Sequence, residues 1–256
     1  FGTFFSITEY MQLNSNQFNI PVVTKNLIII NVLIFLGKLA AEAQGINLDN
    51  ILAMFYPQSS YFKPWQIISH IFMHGDFTHL LFNMFGIWMF GARIEQMLGP
   101  KRFLQLYFFS AFGSFLLHFG IVYFQVQQLI PNISPEDLQQ VANEGRSHLM
   151  NGRPYTDVYL ADLNINFNVP VLGASGALFG ILVAFALYWP NTELYLMFIP
   201  IPIKAKYAVM GYAAFELFSG ISGFLPGIAH FAHLGGALFG FLLVKYWNKN
   251  NRSSFY

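Results

Sequence analysis

Residues 169–180 read VPVLGASGALFG: one hydroxyl, Ser175, among glycines and apolar side chains, at the head of an uncharged run from Ala177 to Trp189. Which solvent such a helix was made for decides the fold. Of 256 residues, 55% are hydrophobic and 10% charged, and the mean hydropathy is +0.47. A water-soluble domain carries roughly 25% charge. The deficit leaves too little polar surface for a chain of this length, so the solvent is lipid. A net charge of +1 leaves no basic footprint for nucleic acid. With no cysteine there is no disulfide, no thiolate metal site and no cysteine nucleophile.

A membrane-spanning helix needs about 20 mostly apolar residues. Six segments approach this: Thr24–Leu39, Phe77–Met97, Phe103–Val126, Val171–Trp189, Ala205–Ser219 and Gly227–Trp247. The expectation is an all-α, polytopic membrane protein: a segment 1–23, one membrane domain 24–247 with an insertion 127–170, and a tail 248–256. No secretory signal peptide is evident, and no internal repeat. The stretch Ala41–Asp76 is aromatic-rich and reads as an interfacial loop with short helices. If the N-terminus is cytoplasmic, nine lysines and arginines fall inside and four outside, Lys38 among the outer ones. Positive charge stays inside, so both termini are expected there and the insertion outside.

Polar groups inside a bilayer are costly and mark function. They concentrate in HIFMHGDFTHLLFN (70–83), GASGALFG (173–180) and GIAHFAHLGGALFG (227–240). All three lie at the starts of even-numbered segments, so His79, Asn83, Ser175 and His233 share one depth below the outer face. His79 and Asn83 are four apart on one helix face. Ser175 stands near a helix N-terminus, where unpaired N–H groups favour negative charge. Serine needs a base to become a nucleophile, and His233 is the natural one. Gly236 and Gly240, like Gly173, Gly176 and Gly180, let helix backbones approach closely, which brings Ser175 and His233 together.

Plainer readings exist for each feature. The glycines and Ser175 could serve helix packing alone. His79 and Asn83 could clamp two helices. His118 reads as a packing residue, Arg93 and Glu95 as structural, and Glu216 as facing water near the outer end of its helix. Packing alone explains the joint occurrence of the three clusters poorly. A transporter would show matching broken helices in two halves, which are absent from the sequence.

Taken in order, His74-Gly75 with His79-Leu-Leu-Phe-Asn83, Glu95-x-x-x-Gly99, Gly173-Ala-Ser175-Gly176 and Ala232-His233-x-x-Gly236-x-x-x-Gly240 resemble the rhomboid family of intramembrane serine proteases. The resemblance covers about Thr24 to Trp247. It implies a six-helix bundle and a serine–histidine dyad with no acidic third member. Ser175 would be the nucleophile and His233 the base, with His79, Asn83 and the Ser175 N–H as oxyanion donors. Substrates would be transmembrane helices of other membrane proteins. The fifth helix and the Gly220–Pro226 loop would act as gate and cap, with no cofactor or metal. The expected location is a multi-pass position in a bacterial inner membrane. Two positions depart from the family pattern. Trp65-Gln66 stands where a Trp-Arg pair is common, which weakens the structural role of that arginine. Phe179 stands where tyrosine is common, though its ring can still pack on His233. The competing reading is a catalytically inactive relative that binds helices; such relatives usually lose the serine or the histidine, and both are present here.

Overall fold

The computed structural model describes residues 20–195, 201–224 and 228–252. Every one of the six apolar segments is helical. The first is α1, Val22–Glu42. Two short helices, α2 (Asp49–Leu52) and α3 (Gln66–Ser69), interrupt the following loop, and a 3-10 turn covers His70–Phe72. The second segment is α4, Phe77–Gly86, which runs through a π-helical turn at Ile87–Gly91 into α5, Ala92–Leu98. Asp76 caps α4 by accepting from the His79 N–H at 2.8 Å. Gly99, at φ 80°, breaks the chain direction, and Pro100 at the first helical position starts α6, Pro100–Leu129. Ser175–Tyr188 is α9, Ala205–Ser222 is α10 and His230–Arg252 is α11. Two of these are long and apolar enough to cross a membrane on that ground alone: α1, and α6 with the turn that extends it to Asn132. Residue 227, where the sixth apolar segment was placed, lies outside the described residues, as do residues 225 and 226 of the expected cap.

Three features depart from the reading of the sequence. The insertion is helical: α7, Pro135–Met150, starts at an Ser134 cap, and α8, Val158–Asn168, at an Asp157 cap. The connection after α9 holds a small antiparallel hairpin, β1 (Glu193–Tyr195) against β2 (Pro202–Lys204), so the fold is not purely α. Lys38, counted among outer loop charges, is 4% exposed. It donates to Asp49 at 2.9 Å and to the carbonyls of His74 and Gly75, tying α1 to the loop ahead of α4.

The centre is built from α6, α9 and α11, and it is made of backbone. A methyl group on Gly236 would overlap the Gly176 carbonyl, and one on Gly240 would come within 2.6 Å of the Gly180 Cα. Methyls on Gly176 and Gly180 would meet Ser114 and Ser110 of α6, and one on Gly235 the Gly113 carbonyl. Small residues at one-turn spacing let α9 and α11 touch, as the sequence suggested, and α6 joins them through Ser110, Gly113 and Ser114.

Candidate functional site

Ser175 opens α9, and the chain ahead of it is sewn onto the first loop. Met54 and Val171 exchange both backbone hydrogen bonds, at 2.9 and 2.8 Å, and Gly173 N donates to the His70 carbonyl at 2.9 Å. Gly173 itself adopts φ 123°, a conformation that favours glycine. No side chain caps α9, so its first-turn N–H groups remain directed past Ser175.

On α11, one turn in, His233 places Nε2 2.9 Å from Ser175 Oγ. The glycine contacts one and two turns further along set that distance by bringing the two helices to backbone contact. Phe179, one turn after Ser175, stacks on the His233 ring with centroids 4.5 Å apart and planes 8° from parallel. Its other neighbour is Tyr212 of α10, at 4.7 Å. The ring thus holds the imidazole without the hydroxyl that tyrosine would bring.

His79 approaches from α4. A methyl on Gly173 would lie 2.7 Å from His79 Nε2 and 3.6 Å from Ser175 Oγ, so both side chains border the same small space. Asn83 is 3% exposed, one turn further along α4. Its Nδ2 has no partner among the described residues, a buried donor left without an acceptor. A turn beyond it, Gly86 packs against Leu178 of α9, which keeps α4 alongside the serine helix. His118 makes an edge contact with its neighbour Phe119 at 4.9 Å. Glu95 is structural too: it is buried and accepts from Val23 N, Thr24 N and Thr24 Oγ1 at 2.7 to 2.9 Å. Arg93 lies over the Trp189 ring.

One sequence reading is corrected. Glu216 does not face water. It is 2% exposed, with Oε2 2.6 Å from His230 Nδ1 and Oε1 3.0 Å from His233 Nδ1. The second approach is close but not aligned as a hydrogen bond. A carboxylate in an apolar segment with two histidines three residues apart on the next helix was the available signal. Gln66 ties the first loop together through its own amide. Fully buried, its Oε1 accepts from Lys63 N at 3.0 Å and Phe55 N at 3.4 Å, and its Nε2 donates to the carbonyls of Tyr61 and Ile51. Among the described residues no cluster of three or more histidine, aspartate or glutamate side chains is arranged to hold a metal.

A helical membrane protein with serine and histidine in contact at two helix starts is the class that fold and site define. The rhomboid domain model matches residues 61–131 and 141–249, and the chain belongs to the rhomboid family, whose members are integral membrane proteins built as helical bundles. The chain is 30% identical over 183 residues to rhomboid protein 1, mitochondrial, of Saccharomyces cerevisiae, covering 72% of this chain and 42% of that protein. It is 49% identical over 43 residues to the putative rhomboid protease YdcA of Bacillus subtilis, covering 17% of this chain and 22% of that protein. It is 38% identical over 60 residues to the rhomboid protease GlpG of Yersinia pestis, covering 23% of this chain and 22% of that protein. The matches therefore span less than half the length of these relatives.

Proposed function

We propose that the chain is an intramembrane serine endopeptidase of the rhomboid type, hydrolysing peptide bonds in or near transmembrane helices of membrane-protein substrates. The observation that carries this reading is the 2.9 Å contact between His233 Nε2 and Ser175 Oγ. In the first step the Oγ–H proton passes to Nε2 as Oγ attacks the scissile carbonyl carbon. The carbonyl π pair moves to oxygen, where the Ser175 N–H, His79 and Asn83 would hold it; the buried, unpartnered Asn83 amide supports that role. Nε2 then protonates the leaving amine, and water repeats the sequence on the acyl-enzyme.

Six crossings with both termini cytoplasmic and 127–170 outside complete the proposal, over a membrane domain 24–247. Orientation and a bacterial inner membrane rest on the sequence reading alone; kinship reaches a mitochondrial protein and does not carry them. Labelling of a cysteine placed at Ser147 only from the cytoplasmic side would overturn the orientation. Because a regular helix hides its peptide bonds, substrates with glycine or another weak helix former near the outer end should be cut in preference to poly-leucine.

The test is fluorophosphonate labelling of the purified chain, followed by cleavage of a fluorogenic transmembrane peptide with glycine near its outer end. Wild type should label and cleave, and Ser175→Ala and His233→Ala should do neither. Asn83→Ala and His79→Ala should cleave roughly 10²–10³-fold more slowly, the loss seen when one oxyanion donor is removed elsewhere. An inactive helix-binding relative predicts no labelling at Ser175.

A further inference from the structure

We infer that Glu216 is the positioning carboxylate of His233, so that the dyad works as a Ser175–His233–Glu216 relay whose far end is closed by His230. The inference rests on the protease reading above and adds an acidic member to it.

Proton bookkeeping carries the case. His230 Nε2 lies 3.1 Å from the Phe224 carbonyl, which can only accept, so Nε2 of His230 is a donor. Its Nδ1 lies 2.6 Å from Glu216 Oε2, and one proton is shared across that contact. If His230 holds it, Glu216 is a carboxylate; if Oε2 holds it, Oε1 is a carbonyl oxygen. In both states Oε1, 3.0 Å from His233 Nδ1, is an acceptor. The neutral His233 ring is therefore favoured with its proton on Nδ1, which leaves the Nε2 lone pair facing Ser175 Oγ. That is the tautomer a general base requires. A small ring rotation would align the Nδ1–H with Oε1, and Phe179 limits larger ones by stacking on the ring face.

The same oxygen acts during turnover. When Nε2 takes the serine proton, His233 becomes a cation, and the adjacent carboxylate offsets that charge in a site shielded from water. The proton returns through Nε2 to the leaving amine, and Glu216 ends each half-reaction as it began. A carboxylate buried among apolar helices is costly unless paired. A link from α10 to α11 through His230 would need one oxygen only; here the second is held against the remaining nitrogen of the histidine that contacts Ser175.

The experiment uses the full chain in lipid vesicles. Fluorophosphonate labelling rate and peptide turnover are measured per folded molecule, with the melting temperature alongside, for wild type, Glu216→Gln and Glu216→Asp. Glu216→Gln should lower the labelling rate and kcat by roughly 10²–10⁴-fold with KM little changed, the upper figure being the loss when the aspartate of a serine-protease triad becomes an amide. Glu216→Asp should restore part of both rates. A merely structural carboxylate predicts a lower melting temperature with labelling per folded molecule unchanged, and that result overturns the inference. Nitrogen-15 NMR of histidine-labelled wild type decides the matter even if Glu216→Gln does not fold: a proton on Nδ1 of His233 supports the relay, and one on Nε2 overturns it. Absence of labelling in wild type would instead strike the protease reading itself.

Discussion

Two regions of the molecule are held together by different chemistry. At the junction of α6, α9 and α11, glycine backbones lie against each other and against two serines. Under the first loop, the insertion is joined to its neighbours by amides. Asn168 Nδ2 donates to the Val141 carbonyl at 2.8 Å and to Asn164 Oδ1 at 2.9 Å, and its Oδ1 accepts from Ser59 Oγ at 2.7 Å. Arg146 donates to Asn50 and to the Asn168 carbonyl and lies over the Phe55 ring. Phe167 stacks on Tyr56 at 5.1 Å. The first region sets a distance between helices through the absence of side chains. The second sets the shape of a loop through side chains that must all find partners. The difference teaches where tolerance lies: the glycine junction admits no added atom, whereas the amide network fails only when a partner is lost.

The sharpest way to break this contrast is Gly236→Val. Added carbons there overlap the Gly176 backbone, which cannot rotate away, so overpacking should cost about 1–3 kcal/mol or more and move His233 from Ser175. Loss of folded protein, or of all labelling in what folds, is expected by thermal melting and fluorophosphonate reaction; a wild-type result would remove the junction from the account. Next comes Asn168→Leu, which strands buried groups at about 1–3 kcal/mol each. It should lower the melting temperature while leaving labelling per folded molecule near wild type, and a large loss of labelling would show the two regions to be one. Phe179→Ala should be milder. Ring stacking contributes about 0.5–1.5 kcal/mol, so turnover should fall several-fold, with Phe179→Tyr close to wild type; unchanged turnover in the alanine variant would make the ring ordinary packing.

The loop side also carries a pH dependence. Burial lowers His70 to about 4, and burial followed by the neighbouring His79 lowers His74 to about 3. Both stay neutral in the fold while the unfolded chain takes up protons below about 6.5. Their contribution is therefore full above that pH and is lost progressively on acidification toward 4 and 3. The melting temperature should fall over that window, and His70→Gln should flatten the fall. An identical slope in the variant would remove His70 from the effect.

How much of this was legible in the sequence follows the same division. Gly176 and Gly180, like Gly236 and Gly240, repeat at one-turn spacing, and that spacing together with the like position of Ser175 and His233 in their segments was enough to bring the two side chains together. The amide network has no period: Ser59 and Asn168 meet because two loops fold back, and their separation of 109 residues hides the pairing. The insertion helices were partly legible, since Ser134-Pro135-Glu136-Asp137 is a helix start with proline at the first position. Glu216 was misread because an acidic residue near a helix end has an easy alternative in water. Its burial depends on His230, whose side chain has no meaning until α10 and α11 are side by side. Gln66 was judged by what it replaces, and its four backbone partners, at Ile51, Phe55, Tyr61 and Lys63, have no pattern in the sequence.

Glu95 bears on where one would divide this chain. The family match begins at residue 61, after α1 has ended, yet the carboxylate at 95 accepts from the Val23 and Thr24 N–H groups and the Thr24 hydroxyl at the start of α1. Residues recognisable as kin and residues that form a separable body are therefore different sets. A fragment cut at 61 would strand a buried carboxylate, whereas α1 supplied as a separate peptide carries the Val23 and Thr24 donors that the socket at Glu95 is shaped to receive, which makes the chain a candidate for splitting at the loop after α1 and reassembling from two pieces.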